Sequence, residues 1–375
     1  MSSPTTSGTA SATEIAAGTS AGTSAKTSPG TGPGTSAPGT PPSPLRVGLV
    51  GYGLAGSAFH APLIRATPGL ELTAVVTSRP VPDDVVRVSS PDELWATGVD
   101  LAVVATPNRT HVPIATAALE AGVNVVVDKP LAATAAEAAA LIGRARRAGL
   151  LLSVFQNRRW DGDFLTLSDL VASGKLGRVH RFESRFERWR PRLSGSWRES
   201  GDPADAGGLL NDLGSHLVDQ ALTLFGPARS VYAEVSALRT GATTDDDTFV
   251  ALRHADGTHS HLWMSVLAEQ PGPRFRVLGD GGSWLSAGLD SQEASLRAGG
   301  GPADPGFGAN EPGSLNGKEY PTRAGSYVEF YEGIARALRE GGPNPVDPAD
   351  AVAMLKVLEA ARLSAAEQRV VDLGE

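Results

Sequence analysis

Arg46-Val47-Gly48-Leu49-Val50 runs directly into Gly51-Tyr52-Gly53-Leu54-Ala55-Gly56 and then into a helix-compatible stretch that reaches Ile64. An apolar strand, a G-x-G-x-x-G turn and a helix, in that order, make the phosphate-binding opening of a dinucleotide fold. Gly51 serves the tight turn, Gly53 lets backbone approach a pyrophosphate, and Gly56 permits close helix packing. With Leu54 and Ala55 they form the expected cofactor loop. The start of the following helix adds partial positive charge towards the phosphates. Alone, the pattern is an ordinary glycine turn; its place between strand and helix gives it meaning.

Downstream of that loop the chain alternates. Residues 70–77, 99–105, 124–127 and 150–155 read as strands, with helices at 113–121 and 132–148. Such alternation predicts an α/β fold whose first part, residues 45–160, is a doubly wound Rossmann domain with a parallel sheet. In an NAD site a carboxylate ends the second strand and takes the ribose hydroxyls. Here that strand ends in Thr77-Ser78-Arg79, and Glu71 sits at its wrong end. Ser78 and Arg79 offer a hydroxyl and a fixed cation suited to a 2′-phosphate, which favours NADP over NAD; a solvated surface cation is the plainer reading of Arg79 alone.

Beyond residue 160 the pattern changes. Residues 178–188, 230–238, 248–254, 258–266, 274–278 and 283–285 read as strands, several joined by Asp-Gly turns. They predict a C-terminal α+β domain over 161–375, carrying substrate and oligomer contacts on a large, mostly antiparallel sheet and closed by helices at 327–340 and 347–367. Glycine and proline dominate 298–325, read as a long surface loop. Residues 1–44 are almost wholly Ser, Thr, Gly, Ala and Pro, and are expected to be a disordered low-complexity tail, because so few large apolar groups do not offset chain entropy.

The 375 residues carry 33 Lys plus Arg against 41 Asp plus Glu, a formal charge of -8, which argues against a nucleic-acid partner. Zero cysteine excludes disulfides, thiolate metal sites, iron-sulfur clusters and cysteine nucleophiles. Apolar runs stop at about five residues, far short of the roughly 20 that span a bilayer. The expectation is a cytoplasmic protein with a small-molecule partner, no membrane contact and no metal.

Three further patterns fall where an open α/β sheet places ligands, beyond the carboxyl ends of its strands. They are Ala105-Thr106-Pro107-Asn108 with His111, Asp128-Lys129-Pro130, and Gly207-Gly208-Leu209-Leu210-Asn211-Asp212-Leu213-Gly214-Ser215-His216. Together with the cofactor loop they resemble the signatures of the GFO/IDH/MocA oxidoreductases over essentially 45–373. Within that family the chain is most similar to NADP-linked scyllo-inositol dehydrogenases, through Phe59-His60-Ala61-Pro62-Leu63, Gln156-Asn157-Arg158-Arg159-Trp160-Asp161 and the run from Asp212 to Gln220. The family usually has Glu-Lys-Pro where this chain has Asp128-Lys129-Pro130, a carboxylate shortened by one methylene.

The resemblance implies hydride transfer between a nicotinamide dinucleotide and a secondary alcohol of a cyclitol or sugar. It makes Lys129 the hydrogen-bond donor to the reacting oxygen and His216 the acceptor or relay of its proton, with Asp212 contacting substrate or orienting His216. Thr106, Pro107, Asn108, His111, Asp128 and Lys129 are expected beside the cofactor. A homo-oligomer, dimer or tetramer, is expected to pair through the second-domain sheet.

Asp212 and His216 lie four apart on an expected helix and so share a face, where a carboxylate fixes an imidazole tautomer and raises its basicity. The plainer reading makes Asp212, His216 and Asp219 a solvated polar stripe. Asn157, Arg158, Trp160 and Asp163 follow the strand that closes the first domain and are expected to hold substrate hydroxyls, with boundary packing as the alternative. Tyr327 is a further expected substrate contact. For His60 and His111 capping or packing is the plainer role. The rival functions are a reductase of another sugar or keto compound and a non-catalytic NADP-binding sensor or scaffold. Retention of Lys129, Asp212 and His216 together speaks against the second.

Overall fold

Each apolar segment of the first alternating unit is a strand, and a short, largely exposed one, β3, joins them: β1 (Leu45–Val50), β2 (Leu70–Val76), β3 (Val86–Val88), β4 (Leu101–Val104), β5 (Asn124–Asp128) and β6 (Leu152–Phe155). They pair in parallel in the order β3-β2-β1-β4-β5-β6. This is the dinucleotide-binding order, and its direction reverses between β1 and β4, where ligands bind. β4 is buried along its whole length, which is why it reads as an unbroken apolar run. Four helices connect the strands: α1 (Ala61–Ala66), entered through a π-helical turn at Ala55–His60, α2 (Pro91–Ala96), α3 (His111–Glu120) and α4 (Ala135–Ala148). Thr134 and Glu137 start α4 with a capping box, and Gly149, at φ 67°, ends it.

After α5 (Gly162–Ala172) and β7 (Val179–Glu187), α6 (Ser215–Phe225) leads to β8 (Ala228–Ser236), β9 (Asp247–His254), β10 (His259–Ser265), β11 (Phe275–Gly279) and β12 (Ser283–Ser286). Then come α7 (Gln292–Arg297), β13 (Gly313–Leu315), β14 (Lys318–Tyr320), α8 (Val328–Glu340), α9 (Pro348–Glu367) and β15 (Val371–Asp372). The resulting nine-stranded sheet runs β14-β13-β12-β11-β7-β10-β9-β8-β15. Only its β7–β10 pair is parallel.

One expectation needs correction. The loop read over 298–325 contains the β13–β14 hairpin, turned by Asn316 and Gly317 at φ 54° and 77°. Asn-Gly between short strands is a strong hairpin signal, masked here by the surrounding glycine and proline. Near residue 160 the chain passes from the first sheet to the second, and α9 lies on β8 and on α4 and reaches β6. The computed structural model describes residues 43–374, so the tail expected over 1–44 lies, but for its last two residues, outside the described part. No helix among the described residues is long and apolar enough to cross a membrane.

Candidate active site

The carboxyl ends of β1 and β2 form one wall. Gly51 has φ +98°, and a Cβ there would lie 2.5 Å from the Ala105 carbonyl oxygen; a Cβ on Gly56 would lie 2.0 Å from that of Gly51. These two glycines are demanded by the turn itself. A Cβ on Gly53 would meet nothing within 4 Å. Its backbone therefore borders open space before the helix, as close approach of a pyrophosphate requires. Leu54 and Ala55 carry the chain into that helix, Leu54 exposed. Ser78 and Arg79 are exposed beyond β2, with the Arg79 N–H bonded to Thr77 Oγ1 at 3.0 Å. Asp83 and Asp84 are the first carboxylates after this strand, and Asp84 is gripped by Arg65 at 2.8 and 2.9 Å.

Beyond β4, Thr106 and Pro107 both accept bonds from the Thr110 hydroxyl at 2.7 Å. Asn108 and His111 are held by backbone carbonyls. Asn108 Nδ2 donates to the Asp205 carbonyl at 2.9 Å, while Arg109 pairs with Asp202 and Asp205, tying this loop to the second-domain segment around 202–205. His111 is buried with its ring nitrogens 2.8 and 2.9 Å from the carbonyl oxygens of Pro130 and Thr106. It braces the loops after β4 and β5, the packing role that is the plainer reading.

β5 delivers Asp128 and Lys129 to the cleft. The Lys129 ammonium donates to Asp212 Oδ1 at 2.8 Å and to the Asp212 carbonyl at 2.6 Å. Asp128 Oδ1 accepts the Lys129 N–H at 2.8 Å, and its Oδ2 lies 3.9 Å from His60 Nε2. His60 is buried, its Nδ1 2.6 Å from the Tyr331 hydroxyl and its Nε2 without a partner. A gap of that size is about 1 Å too long for a hydrogen bond, so the shortened carboxylate faces His60 without reaching it. Burial pushes the Asp128 carboxyl up, but His60, His111 and Lys129 together hold it below its ordinary value.

Asp212 lies in a π-helical turn, Leu210–Gly214, that runs into α6. The expected hydrogen bond from Asp212 to His216 does not form among the described residues. Asp212 turns to Lys129, and the Nδ1 of His216 is left buried without a partner. Burial opposes ionisation of Asp212, yet the charges of Lys129 and Arg198 lower its carboxyl to about 2. Burial first, then the cations Lys129, Arg158 and Arg274, hold the His216 imidazole neutral well below its ordinary range. Asp219 is no solvated residue either, since it is buried and bidentate to Arg159 at 2.6 and 2.8 Å.

The expected substrate contacts divide. Asn157 and Trp160 are half-buried, and the Trp160 ring packs against Phe330 with centroids 5.6 Å apart. Arg158, Asp163 and Tyr327 are buried in an ionic cluster behind the cleft. Arg158 pairs with Asp161 and Glu293, the Tyr327 hydroxyl donates to Asp161 at 2.7 Å, and Asp163 lies 3.9 Å from Arg274. Desolvated charges of this kind need such partners. Burial, reinforced by Asp163 and Asp290, pushes the Asp161 carboxyl up to about 7 against the pull of Arg158. Asp163 and Tyr327 are thus buried and held by partners within this cluster. Their residue types gave no clue, because the partners lie more than a hundred residues apart in sequence.

Sequence reasoning also missed Phe186, Arg188 and Arg198. The Phe186 ring lies 6.4 Å from His216 and carries the guanidinium carbons of Arg158 and Arg274 at 4.7 and 4.3 Å. Arg198 Nε lies 3.5 Å from Asp212 Oδ1. The inward parity of β7, Phe182, Ser184, Phe186, is the sequence signal that leads to this face.

Comparison with known proteins adds ancestry to this geometry. Residues 45–156 match the model of an oxidoreductase family with an NAD-binding Rossmann fold, and residues 164–285 match that of the GFO/IDH/MocA C-terminal domain. The uncharacterized oxidoreductase YdgJ of Escherichia coli (strain K12) is 42% identical over 84% of this chain and 94% of its own length. The scyllo-inositol 2-dehydrogenase (NADP(+)) IolW of Bacillus subtilis (strain 168) is 35% identical over 88% of this chain and 96% of its own. A solved oxidoreductase structure from Yersinia pestis superimposes with a TM-score of 0.83 at 40% identity, covering 88% of this chain and 97% of that one.

Proposed function

This chain belongs to the GFO/IDH/MocA oxidoreductases and carries their NAD(P)-binding Rossmann domain, and from that premise we propose that it interconverts a secondary alcohol of a cyclitol or sugar, a scyllo-inositol-like ring first, with the corresponding ketone, using NADP. The observation that carries the reading is the Lys129–Asp212 pair, with Lys129 at the carboxyl edge of the parallel sheet, beside a neutral His216 that takes no side-chain hydrogen bond among the described residues. The preference for NADP draws support from exposed Arg79 and Ser78, and from the engagement of Asp84 by Arg65. The name of the relative IolW supports both cofactor and substrate.

When bound, the nicotinamide supplies the hydride acceptor or donor. Gly51, Gly53 and Gly56, with the helix start behind them, hold the pyrophosphate, and the loops at Thr106–Pro107 and Asp128–Lys129 border the nicotinamide end. The Lys129 ammonium donates a hydrogen bond to the reacting oxygen and stabilises its developing negative charge. Asp212 keeps that ammonium charged and aimed. His216 takes the hydroxyl proton at Nε2, the ring nitrogen that is not sealed in, during oxidation and returns it during reduction. Its depressed basicity keeps it ready to accept at neutral pH and prevents it from retaining the proton.

The outer face of the nine-stranded sheet carries Phe249 and Trp263 with ring centroids 5.1 Å apart, and Arg185 lies 3.9 Å over Trp263. A half-buried aromatic patch of this kind supports a homo-oligomer paired through that face. We place the enzyme in the cytoplasm, where a soluble NADP pool is turned over. The test is nicotinamide absorbance over a panel of polyols with NADP and with NAD, run beside the Lys129→Ala variant.

A further inference from the structure

The cations of the cleft are separated by their partners. Lys129 and Arg198 lie on Asp212, Arg158 on Asp161 and Glu293, and Arg274 on Ser184 and Gln220. Arg188 differs. Its backbone is fixed, N–H to the Ser265 carbonyl at 3.0 Å and carbonyl to the Ala268 N–H at 3.1 Å, while its half-buried guanidinium takes no hydrogen bond and no ion pair among the described residues. Nor are its nitrogens sealed in, as one nitrogen each of Arg158 and Arg274 is.

β7 sets where this side chain points. Phe182, Ser184 and Phe186 face inward, and Arg188 continues that parity one step past the strand, on the face that places Phe186 beside His216. The charges acting on it are those of Arg190, Asp212, Glu293 and Arg158, which sets it near the Lys129–Asp212 pair and the Arg158–Glu293 pair. Arginine stays charged in any such setting. A half-desolvated cation without an acceptor carries a cost that a bound ligand removes.

We propose that Arg188 is a specificity-determining residue: its guanidinium fork donates two hydrogen bonds to a pair of adjacent hydroxyl oxygens of the substrate and so selects which ring carbon faces Lys129 and His216. The inference rests on the polyol reading above. The fork presents parallel N–H groups at a spacing that adjacent oxygens match, which an ammonium does not. Around Arg188 the negative charges of Asp212 and Glu293 stand against the positive charges of Arg190 and Arg158.

The experiment compares wild type, Arg188→Gln and Arg188→Lys on scyllo-inositol, myo-inositol, an inositol lacking one hydroxyl and a uronic acid, with NADP affinity and Tm measured alongside. Expected is an about 10- to 100-fold rise in KM for Arg188→Gln with little change in kcat, smaller in Arg188→Lys, and unchanged NADP affinity and Tm. Wild type is expected to lose a similar factor on the deoxy analogue, which Arg188→Gln no longer distinguishes. Unchanged KM in Arg188→Gln on a substrate that wild type turns over overturns the proposal. So does an equal loss on every analogue, or a wild-type preference for the uronic acid that the variant abolishes. Absence of turnover by wild type on all polyols defeats the polyol reading itself, and this inference with it, before any variant is made.

Discussion

At the carboxyl ends of β1 and β2 the binding surface is made of backbone: the turn at Gly51, the open side of Gly53 and the helix start behind them. Across the cleft the surface is made of side chains held by other side chains. Lys129 is aimed by Asp212, 83 residues away, and Arg158 by Glu293, 135 residues away. A backbone site depends on a few consecutive residues and tolerates almost anything behind it. A side-chain site depends on charges that must find each other in a low-dielectric interior, where an unmatched partner is costly. The cofactor wall should therefore fail by shape, and the substrate wall by charge.

The largest effect falls on the charge side. Lys129→Ala is expected to lower kcat/KM by roughly 10³-fold or more, and Asp212→Asn by about 10²-fold, with cofactor affinity preserved in both. Steady-state kinetics with separate titration of NADP checks this. Retained activity in Lys129→Ala would remove the chemistry from this pair.

On the shape side, Gly56→Ala and Gly53→Ala should part company. A Cβ at Gly56 meets the Gly51 carbonyl at 2.0 Å, so that variant should lose about 1–3 kcal/mol in denaturant unfolding. Gly53→Ala meets no protein atom within 4 Å; its stability should stay within about 0.5 kcal/mol while its KM for NADP rises about tenfold. Equal behaviour of the two would refute the division of roles between these glycines.

Tyr327→Phe removes the hydrogen bond to Asp161 from the buried cluster, an expected cost of about 1–2 kcal/mol in stability without a matching rise in substrate KM. The opposite pattern, raised KM at full stability, would return Tyr327 to the cleft.

The pH effects are opposite in sign. Asp161 holds its proton to about 7 when folded against an ordinary 3.8, so its contribution to stability is present below 3.8 and is lost as pH rises from there towards 7. His216 is depressed when folded, so the unfolded chain binds the extra proton and stability falls as pH drops below 6.5. Oxidation should accordingly show no acid limb at 6.5 from His216. A limb there would place this imidazole in an ordinary, solvated setting.

The same contrast explains what could be read in advance. Gly51 to Gly56, the alternating strands and Asp128-Lys129 stand in runs whose order carries their meaning, so the fold and the cofactor edge were legible. The α/β class and the mostly antiparallel second sheet followed from alternation and turn residues alone. His111, Asp163 and Tyr327 were set beside ligands because of their position after strands or before a helix, but their roles depend on Pro130, Arg274 and Asp161, which no local pattern announces. The four-residue spacing of Asp212 and His216 suggests that they pair, but no local pattern announces that Asp212 turns to Lys129, 83 residues away. Arg188 was hidden by neighbours: Arg185, Arg190 and Arg192 surround it, and only the parity of β7 separates it from them.

The most direct test is absorbance of the reduced nicotinamide during incubation of the protein with NADP or NAD and scyllo-inositol, myo-inositol, glucose and other polyols, with Lys129→Ala in parallel. Reduction of NADP by a cyclitol, faster than that of NAD and lost in the variant, is the predicted result. Binding of NADP without turnover of any polyol or keto-polyol, or turnover that survives Lys129→Ala, would contradict the account.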